Sequence, residues 1–495
     1  MTTYIIGIGG TGAKCIEAIS RLAGVGLFGR ESLKVLFVDA DETNGNLDRA
    51  RNSLTVYRRC YDLTSSSASF GWMATKLESL DLWSPFTDLS LNKELRTFFN
   101  YNTIKQNQPP LGNLFDVLYT KDEQEANLDV GFRGRPAIGA AVMSQVDLDK
   151  LDQEPWGSFV KEIQRDVGAG NAAKVFLCGS IFGGTGASGL PTIARLIANK
   201  LKNLNVRDRI SIGCLFMLPY FGFTAPPGED PDGVYARSEQ FLLNTEAALR
   251  YYVTQAQSIF DTVYLLGNQN LSRVEFSIGK NSQRNQPHFI ELFAGLAARH
   301  FSLESGSSKG SVVLISRESP GRVTWSDFPD PHVVKPQLVQ ATRFAYGWLG
   351  EIVPELNSFQ NQQGGRMMLT PWLMKFFPSR SRGNDGIAWL NDATQQEAMV
   401  AINSWCQDYL GWLHAIHQLE GESLELFATN IFAEPEQVLP TNRLADLVAN
   451  DGRDARSKSR DNIQQLKKDL QKYKPTVDEQ GIVGLARVFY NLCKH

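Results

Sequence analysis

The chain reads as an α/β protein built on a parallel sheet, and three features of the sequence say so. Short apolar runs alternate with longer amphipathic ones over roughly the first 200 residues, the pattern of strands joined by crossover helices. Two apolar runs end in glycine clusters that lead straight into helical patterns, "GIGGTGAKC" at Gly7–Cys15 and "SIFGGTGASG" at Ser180–Gly189. A third run, "KVLFVDAD", closes on carboxylates. At 495 residues the chain is longer than one hydrophobic core usually spans, which predicts two or three domains.

In chain order, "TYIIGIG" predicts the first strand and "GAKCIEAISRLAG" the helix leaving its tip. "KVLFVDAD" predicts the second strand. Thr43 to Asn127, with the polar "TSSSAS" and several aromatic-rich helical pieces, carries no clear assignment. "KVFLCGS", "RISIGCLFML" and "DTVYLLGN" predict the third, fourth and fifth strands, and "LPTIARLIANKL" a helix after the second glycine cluster. Between the last two strands lie a Pro/Gly/Asp loop, "PYFGFTAPPGEDPDG", and a long amphipathic helix, "VYARSEQFLLNTEAALRYYVTQAQSIF". "PHFIELFAGLAARHFSL" is apolar around most of its circumference and predicts a buried helix. After the polar "ESGSSKG" come two expected strands, "SVVLIS" and "RVTW", then a helix over "KPQLVQATRFAYGWLGEIV". Beyond the loop "NQQGGR" the pattern is mostly helical, and no internal repeat is visible.

Composition narrows the function classes. A formal charge of −3 gives no reason to expect nucleic acid or an acidic membrane as partner. The stretch "GRDARSKSRDNIQQLKKDLQKYK" mixes signs and reads as a solvated helix face. The six cysteines lie far apart, so neither a disulfide framework nor a zinc knuckle is suggested. His414 and His417 share a helix face but lack a third ligand nearby. The N-terminus has no basic n-region, and the longest apolar stretch, "ISIGCLFMLPYFGF", is too short to span a bilayer. A cytoplasmic location is the expectation.

Glycine is needed where backbone adopts positive φ or approaches a ligand closely, and a strand, glycine turn and helix in succession aim N–H groups at an anion. Gly7, Gly9 and Gly12 satisfy G-x-G-x-x-G. Alone, that fits a NAD-dependent oxidoreductase, with Asp39 taking a ribose. The second cluster speaks for a different ligand, because "GGTGASG" offers another set of N–H donors with the hydroxyls of Thr185 and Ser188 at a helix start. No Lys-Ser or Lys-Thr follows at Walker spacing.

On these residues the chain resembles the tubulin and FtsZ superfamily of GTPases, whose signature G-G-G-T-G-[ST]-G is matched by "FGGTGASG". "VDADE" is similar to the family's acidic turn, "GFRGRPAIGAA" to its γ-phosphate loop and "DTVYLLGN" to the strand ending in a base-contacting Asn. The resemblance covers roughly residues 1–350. It implies a parallel-sheet, Rossmann-like GTP-binding domain over 1–285, a central connecting helix over 286–304, a smaller second α/β domain over 305–388 and a mostly helical C-terminal region over 389–495.

Carried over by position, the resemblance implies that Gly9, Gly10, Thr11, Gly183, Gly184, Thr185 and Gly186 hold the α- and β-phosphates of GTP or GDP, with Ser188 beside them. It implies that Asp41 orients Mg2+, that Gly134 and Arg135 sense the γ-phosphate, that Asp232 and Arg237 touch ribose or phosphate, and that Asn268 meets the base. Plainer readings stay open: a surface salt bridge for Arg135, a strand-end turn for Asn268. In the family, hydrolysis is completed by an acidic loop from the next subunit of a head-to-tail filament. "TWSDFPDP" is similar to that loop, with Asp327 and Asp330 in the acidic positions, and the plainer reading of Asp327 is an ordinary turn or helix-capping residue.

The match departs from the family in two places. Trp325 stands where the family has Asn, and the loop lies beyond a polar insertion rather than directly after the buried helix. The face expected to grip guanine offers only His288 or Asn285. These departures resemble a divergent bacterial tubulin-like branch opening with "GIGGTGAK", whose members imply a scaffold or sensor in a multi-protein system such as phage defence. Residues from about Trp389 onward match no family pattern and are the expected place for a partner.

Overall fold

The computed structural model describes residues 1–494 apart from 66–70, 87–92, 146–153, 225–237, 256–258, 276, 278, 305–309, 317–320, 361–370, 379–388, 420–423 and 433–443. Its strands are β1 (Thr2–Ile8), β2 (Ser32–Val38), β3 (Lys76–Trp83), β4 (Ala173–Ser180), β5 (Ile210–Met217), β6 (Phe221–Phe223), β7 (Thr262–Leu266), β8 (Ser272–Val274) and β9 (Ser311–Ile315). Seven of them form one sheet in the order β3-β2-β1-β4-β5-β7-β9, and β6 and β8 pair separately. Every pairing between these strands is parallel. The principal helices are α1 (Gly9–Gly24), α2 (Gly45–Thr64), α3 (Pro136–Met143), α4 (Trp156–Gly168), α5 (Gly184–Asn203), α6 (Ser238–Gln255), α7 (Phe289–Leu303), α8 (Pro331–Gly347), α9 (Ala393–His417) and α10 (Gly481–Leu492).

β1 and β4 are buried along their whole length, as expected for central strands covered on both faces. Their side chains alternate between two cores. Ile5, Phe37 and Phe176 join α1, α2 and α7 on one face, while Ile6, Val38 and Val175 join α3, α4 and α5 on the other. The buried helix expected from "PHFIELFAGLAARHFSL" is α7, packed so closely on α1 that a Cβ at Gly295 would lie 2.7 Å from Leu22 Cδ1. No helix of the described residues is long and apolar enough to cross a membrane.

Several elements differ from the sequence reading. Thr43–Asn127, left unassigned, holds α2, β3 and short helices between Leu95 and Glu125. The first glycine cluster is not a loop, since α1 starts at Gly9 directly after β1. α5 likewise starts at Gly184, inside the second cluster. "RVTW" is not a strand; Val323 makes one isolated bridge to Leu424, and Trp325 opens a 3-10 turn. "SVVLIS" does form a strand, but β9 pairs with β7 at the edge of the main sheet rather than starting a sheet of its own. Its residues continue the alternation that β7 requires, so the main sheet is where its backbone hydrogen bonds are made.

The C-terminal helices are built into the first core. Trp405 of α9 is fully buried, stacks on Tyr409 with ring centroids 5.2 Å apart, and lies edge-on to Trp72 at 5.7 Å. Gly24, at the end of α1, lets the indole in, because a Cβ there would stand 2.7 Å from Trp405 Nε1. Arg21 of α1 pairs with Asp408 of α9 and donates to Ser53 Oγ at 2.7 Å. Arg487 of α10 donates to the carbonyl of Thr64 at the end of α2. Trp405→Ala should therefore destabilise the whole chain by about 3–5 kcal/mol in urea unfolding, with one transition. A separate early transition of the C-terminal region would show instead that it folds as an independent unit.

Candidate functional site

β1 and β4 are parallel neighbours although they are not consecutive, so the order in which strands are added reverses between them, and Ile8 stands opposite Gly179. A crevice opens at such a switch point, beyond the carboxyl ends of the strands. Here α1 and α5 both begin in it. The residue before each, Ile8 and Gly183, makes no side-chain cap. Two sets of unpaired helical N–H groups, and two positive dipole ends, therefore face one cleft.

The glycines serve close packing as much as ligand approach. A Cβ at Gly7 would lie 2.8 Å from the carbonyl of Gly12, and one at Gly12 would lie 2.7 Å from the carbonyl of Cys178. Gly186 leaves only 2.3 Å to the Ser180 carbonyl. Gly9 has φ +72°, the left-handed region, and its Cβ position is 3.3 Å from Thr185 Cβ, where the two helix starts meet. Gly10 differs from these, for its nearest neighbours are the amide ends of Asn46 and Asn44 at 3.3 and 3.4 Å, on the cleft side.

Gly9, Gly10, Thr11, Asp41, Gly134, Gly183, Gly184, Thr185 and Gly186 all line this cleft. Other residues expected in the site do not. Ser188 is buried one turn inside α5, donating to the Gly184 carbonyl at 2.7 Å and packing against Gly139 of α3. Arg135 is ion-paired with Glu123, the salt bridge its plainer reading names. Asn268 donates to the carbonyl of Asn270 at 2.8 Å in a strand-end turn. Asp232 and Arg237 lie outside the described residues.

Asp327 and Asp330 do not line the cleft either. Asp327 Oδ2 accepts from the N–H of Thr324 at 2.7 Å and from its hydroxyl at 3.1 Å, and Asp330 pairs with Arg299 at 2.9 Å. Arg299 also donates to the carbonyl of Leu27, past the far end of α1. Asp330 is thereby held near the far end of α1, a helix whose 16 residues at about 1.5 Å each span roughly 24 Å from the cleft.

The cleft wall also holds groups that the motifs did not indicate. Lys14, one turn into α1, is buried and paired with Glu291 of α7. Glu291 further accepts from Tyr220 Oη at 2.9 Å and from the N–H of His288 at 3.0 Å. His288 caps α7: its Nδ1 accepts from the N–H of Ile290 at 3.1 Å, which leaves Nε2–H for Ser272 Oγ at 2.9 Å. Burial, aided by the Lys14 charge, pushes its pKa down to about 3, so it is a neutral group that caps the helix. Asn44 Nδ2 donates to Gln283 Oε1 at 3.0 Å, and Asn46 Oδ1 accepts from the N–H of Asn285 at 2.9 Å. Phe223 and Phe241, with centroids 5.8 Å apart, form an aromatic wall. Asn44, Asn46 and Lys14 had a faint sequence signal in the "TNGN" helix start and the one-turn spacing after Gly10. The phenylalanines had none.

The loop carrying Gly131, Arg133 and Gly134 has φ of +82°, +48° and +73°, and it covers the start of α5. Asn244 of α6 ties this loop to the second cluster by donating to the carbonyls of Gly134 at 3.1 Å and Phe182 at 3.0 Å.

Two carboxylates face the helix starts. Asp39 is 4 % exposed, and burial together with the charge of Asp41 raises its pKa to about 7. Asp41 is also raised, by burial, although the N–H of Lys280 donates to it at 2.7 Å. Among the described residues no group of three or more His, Cys, Asp and Glu is arranged to hold a metal ion. Two carboxylates beside an anion cradle suit a cation that takes its other ligands from phosphate and water, as Mg2+ does.

Because Asp39 holds its proton more tightly in the folded chain, its ionisation weakens the fold as pH rises from about 4 to about 7, and the full cost stands above that. Asp39→Asn should therefore stabilise the ligand-free protein relative to wild type, little at pH 4.5 and by a few kcal/mol at pH 8, a tenfold change in proton affinity being about 1.4 kcal/mol. Urea unfolding at the two pH values measures the difference, and an equal effect at both would show that the carboxyl is not buried at this cost.

No family model and no curated protein matches this chain. Among solved structures it is similar to TubZ of Bacillus thuringiensis serovar israelensis in a GTPγS-form protofilament, at 11% identity and a TM-score of 0.21. The alignment covers 54% of this chain and 48% of that one, so the chain spans about half the length of that protein.

Proposed function

We propose that the cleft binds a purine nucleoside triphosphate, GTP in the reading the motifs favour, together with Mg2+. One observation carries this: two helices start side by side without side-chain caps, in a crevice with two carboxylates of raised pKa. An anion with several charges satisfies both helix starts, whereas a dinucleotide pyrophosphate on α1 alone would leave α5 unsatisfied. In this reading the N–H groups of Gly10, Thr11, Gly184, Thr185 and Gly186 cradle the phosphates, and Gly134 and Arg133 lie over the terminal one. Bound Mg2+ would neutralise charge between the phosphates and the carboxylates of Asp39 and Asp41. Phe223, Gln283 and Asn285 line the part of the cleft left for ribose and base.

Hydrolysis in this reading requires a second subunit. Asp327 and Asp330 do not line their own cradle, and in this reading they serve that of a neighbour stacked head to tail. A second reading, a nucleotide-binding scaffold without turnover, is favoured by the engagement of both carboxylates, one capping Thr324 and one paired with Arg299.

GTP turnover per subunit, measured against protein concentration, separates the two. An assembling GTPase should speed up with concentration and lose at least about 100-fold in Asp327→Ala, with Asp327→Asn as the variant that keeps a capping oxygen. Flat, negligible turnover with nucleotide still bound would select the scaffold. Gly10→Val tests the cradle itself. Its added methyls meet the side-chain amides of Asn46 and Asn44 rather than backbone, and nucleotide affinity should fall by at least about 100-fold in calorimetry in a variant that circular dichroism shows to be folded. Unchanged affinity would overturn the assignment of the cleft.

A further inference from the structure

α6 has two unlike faces. The inner one brings Phe241 to the cleft, holds Asn244 against the two loops and buries Tyr252. On the outer one, Leu242, Leu243 and Val253 are 67%, 66% and 74% exposed. Leu242, Leu249 and Val253, with Thr245, line one apolar groove along the helix, and Glu246 and Arg250 flank it. Their spacing of seven and four residues is that of a helix-pairing seam. Among the described residues nothing covers it.

The charges indicate the occupant. Glu246 and Arg250 are exposed and pair within the helix at 2.6 Å. Let a second α6 lie antiparallel on the first, about a two-fold axis near Ala248. Glu246 of each then faces Arg250 of the other, Leu242 faces Val253, and the two Leu249 side chains meet beside the axis. One patch is thus complementary to itself in both charge and apolar pattern, as an isologous interface requires. We infer that the outer face of α6 pairs with the same face of a second copy of this chain, antiparallel, in a symmetric dimer. The contact is independent of nucleotide and differs from a head-to-tail stack, which joins two different ends of the molecule.

The geometry permits a test that a merely structural role for these charges would fail. In Glu246→Arg every cross-pair becomes Arg with Arg, and in Arg250→Glu every cross-pair becomes Glu with Glu. Each variant repels itself. A one-to-one mixture of the two, however, restores an opposite-charge pair at both contacts, although neither helix regains its internal pair. Sedimentation velocity without nucleotide, from about 1 to 100 µM, should show self-association of the wild-type chain that weakens at least tenfold in each variant alone and returns in the mixture. Circular dichroism checks that both variants stay folded. A wild-type chain that is monomeric throughout, variants that associate as before, or a mixture that stays monomeric would each overturn the inference.

Discussion

The rest of the structure depends on the parallel pairing of β1 with β4. It sets Ile8 beside Gly179, and so it sets the first turns of α1 and α5 side by side. Two helix N-termini this close repel each other through their dipoles, and neither has a side-chain cap to soften the effect. Only glycine lets the helices start so near the strand ends, because Cβ atoms at Gly7, Gly12 and Gly186 would run into backbone carbonyls. The next strand then delivers Asp39 and Asp41 into the same crevice, where burial raises the pKa of both. Unsatisfied positive dipoles and reluctant carboxylates in one place are what the proposed binding of a polyanion together with a cation would relieve.

α7 runs from this cleft alongside α1 to the other end of that helix. Its first turn is held by His288, Glu291, Lys14 and Tyr220 beneath the cradle, and its last turn supports Arg299, which fixes both the end of α1 and Asp330. α1 and α7 are packed over their length, with Gly295 allowing the contact at Leu22. The C-terminal helices add a further layer, and Trp405 against Gly24 makes them part of the same body.

Much of the site was legible in the residues, for a physical reason. Glycines that must meet backbone or adopt positive φ tolerate no substitute, so the cradle is written out as two clusters of local sequence, and the acidic end of β2 is local as well. Residues brought in from afar leave no such trace. Phe223 and Gln283 line the cleft through folding of distant segments, and Lys14 is explained only by a carboxylate on α7. Likewise Ser188 and Arg135 sit inside matching motifs yet turn to Gly184 and Glu123, because helix and loop direction, not spacing, decides where a side chain points.

By itself the sequence determined the α/β class, the positions of five central strands, the burial of α7 and the two glycine-rich helix starts, since each follows from periodicity or backbone sterics within a few residues. Tertiary structure alone decided that β9 completes the main sheet, that α9 and α10 belong to the core, and that Asp327 and Asp330 are engaged by Thr324 and Arg299 outside the cleft lining. Those outcomes rest on which distant surfaces bury one another, a property of summed contact area that no short stretch of sequence carries.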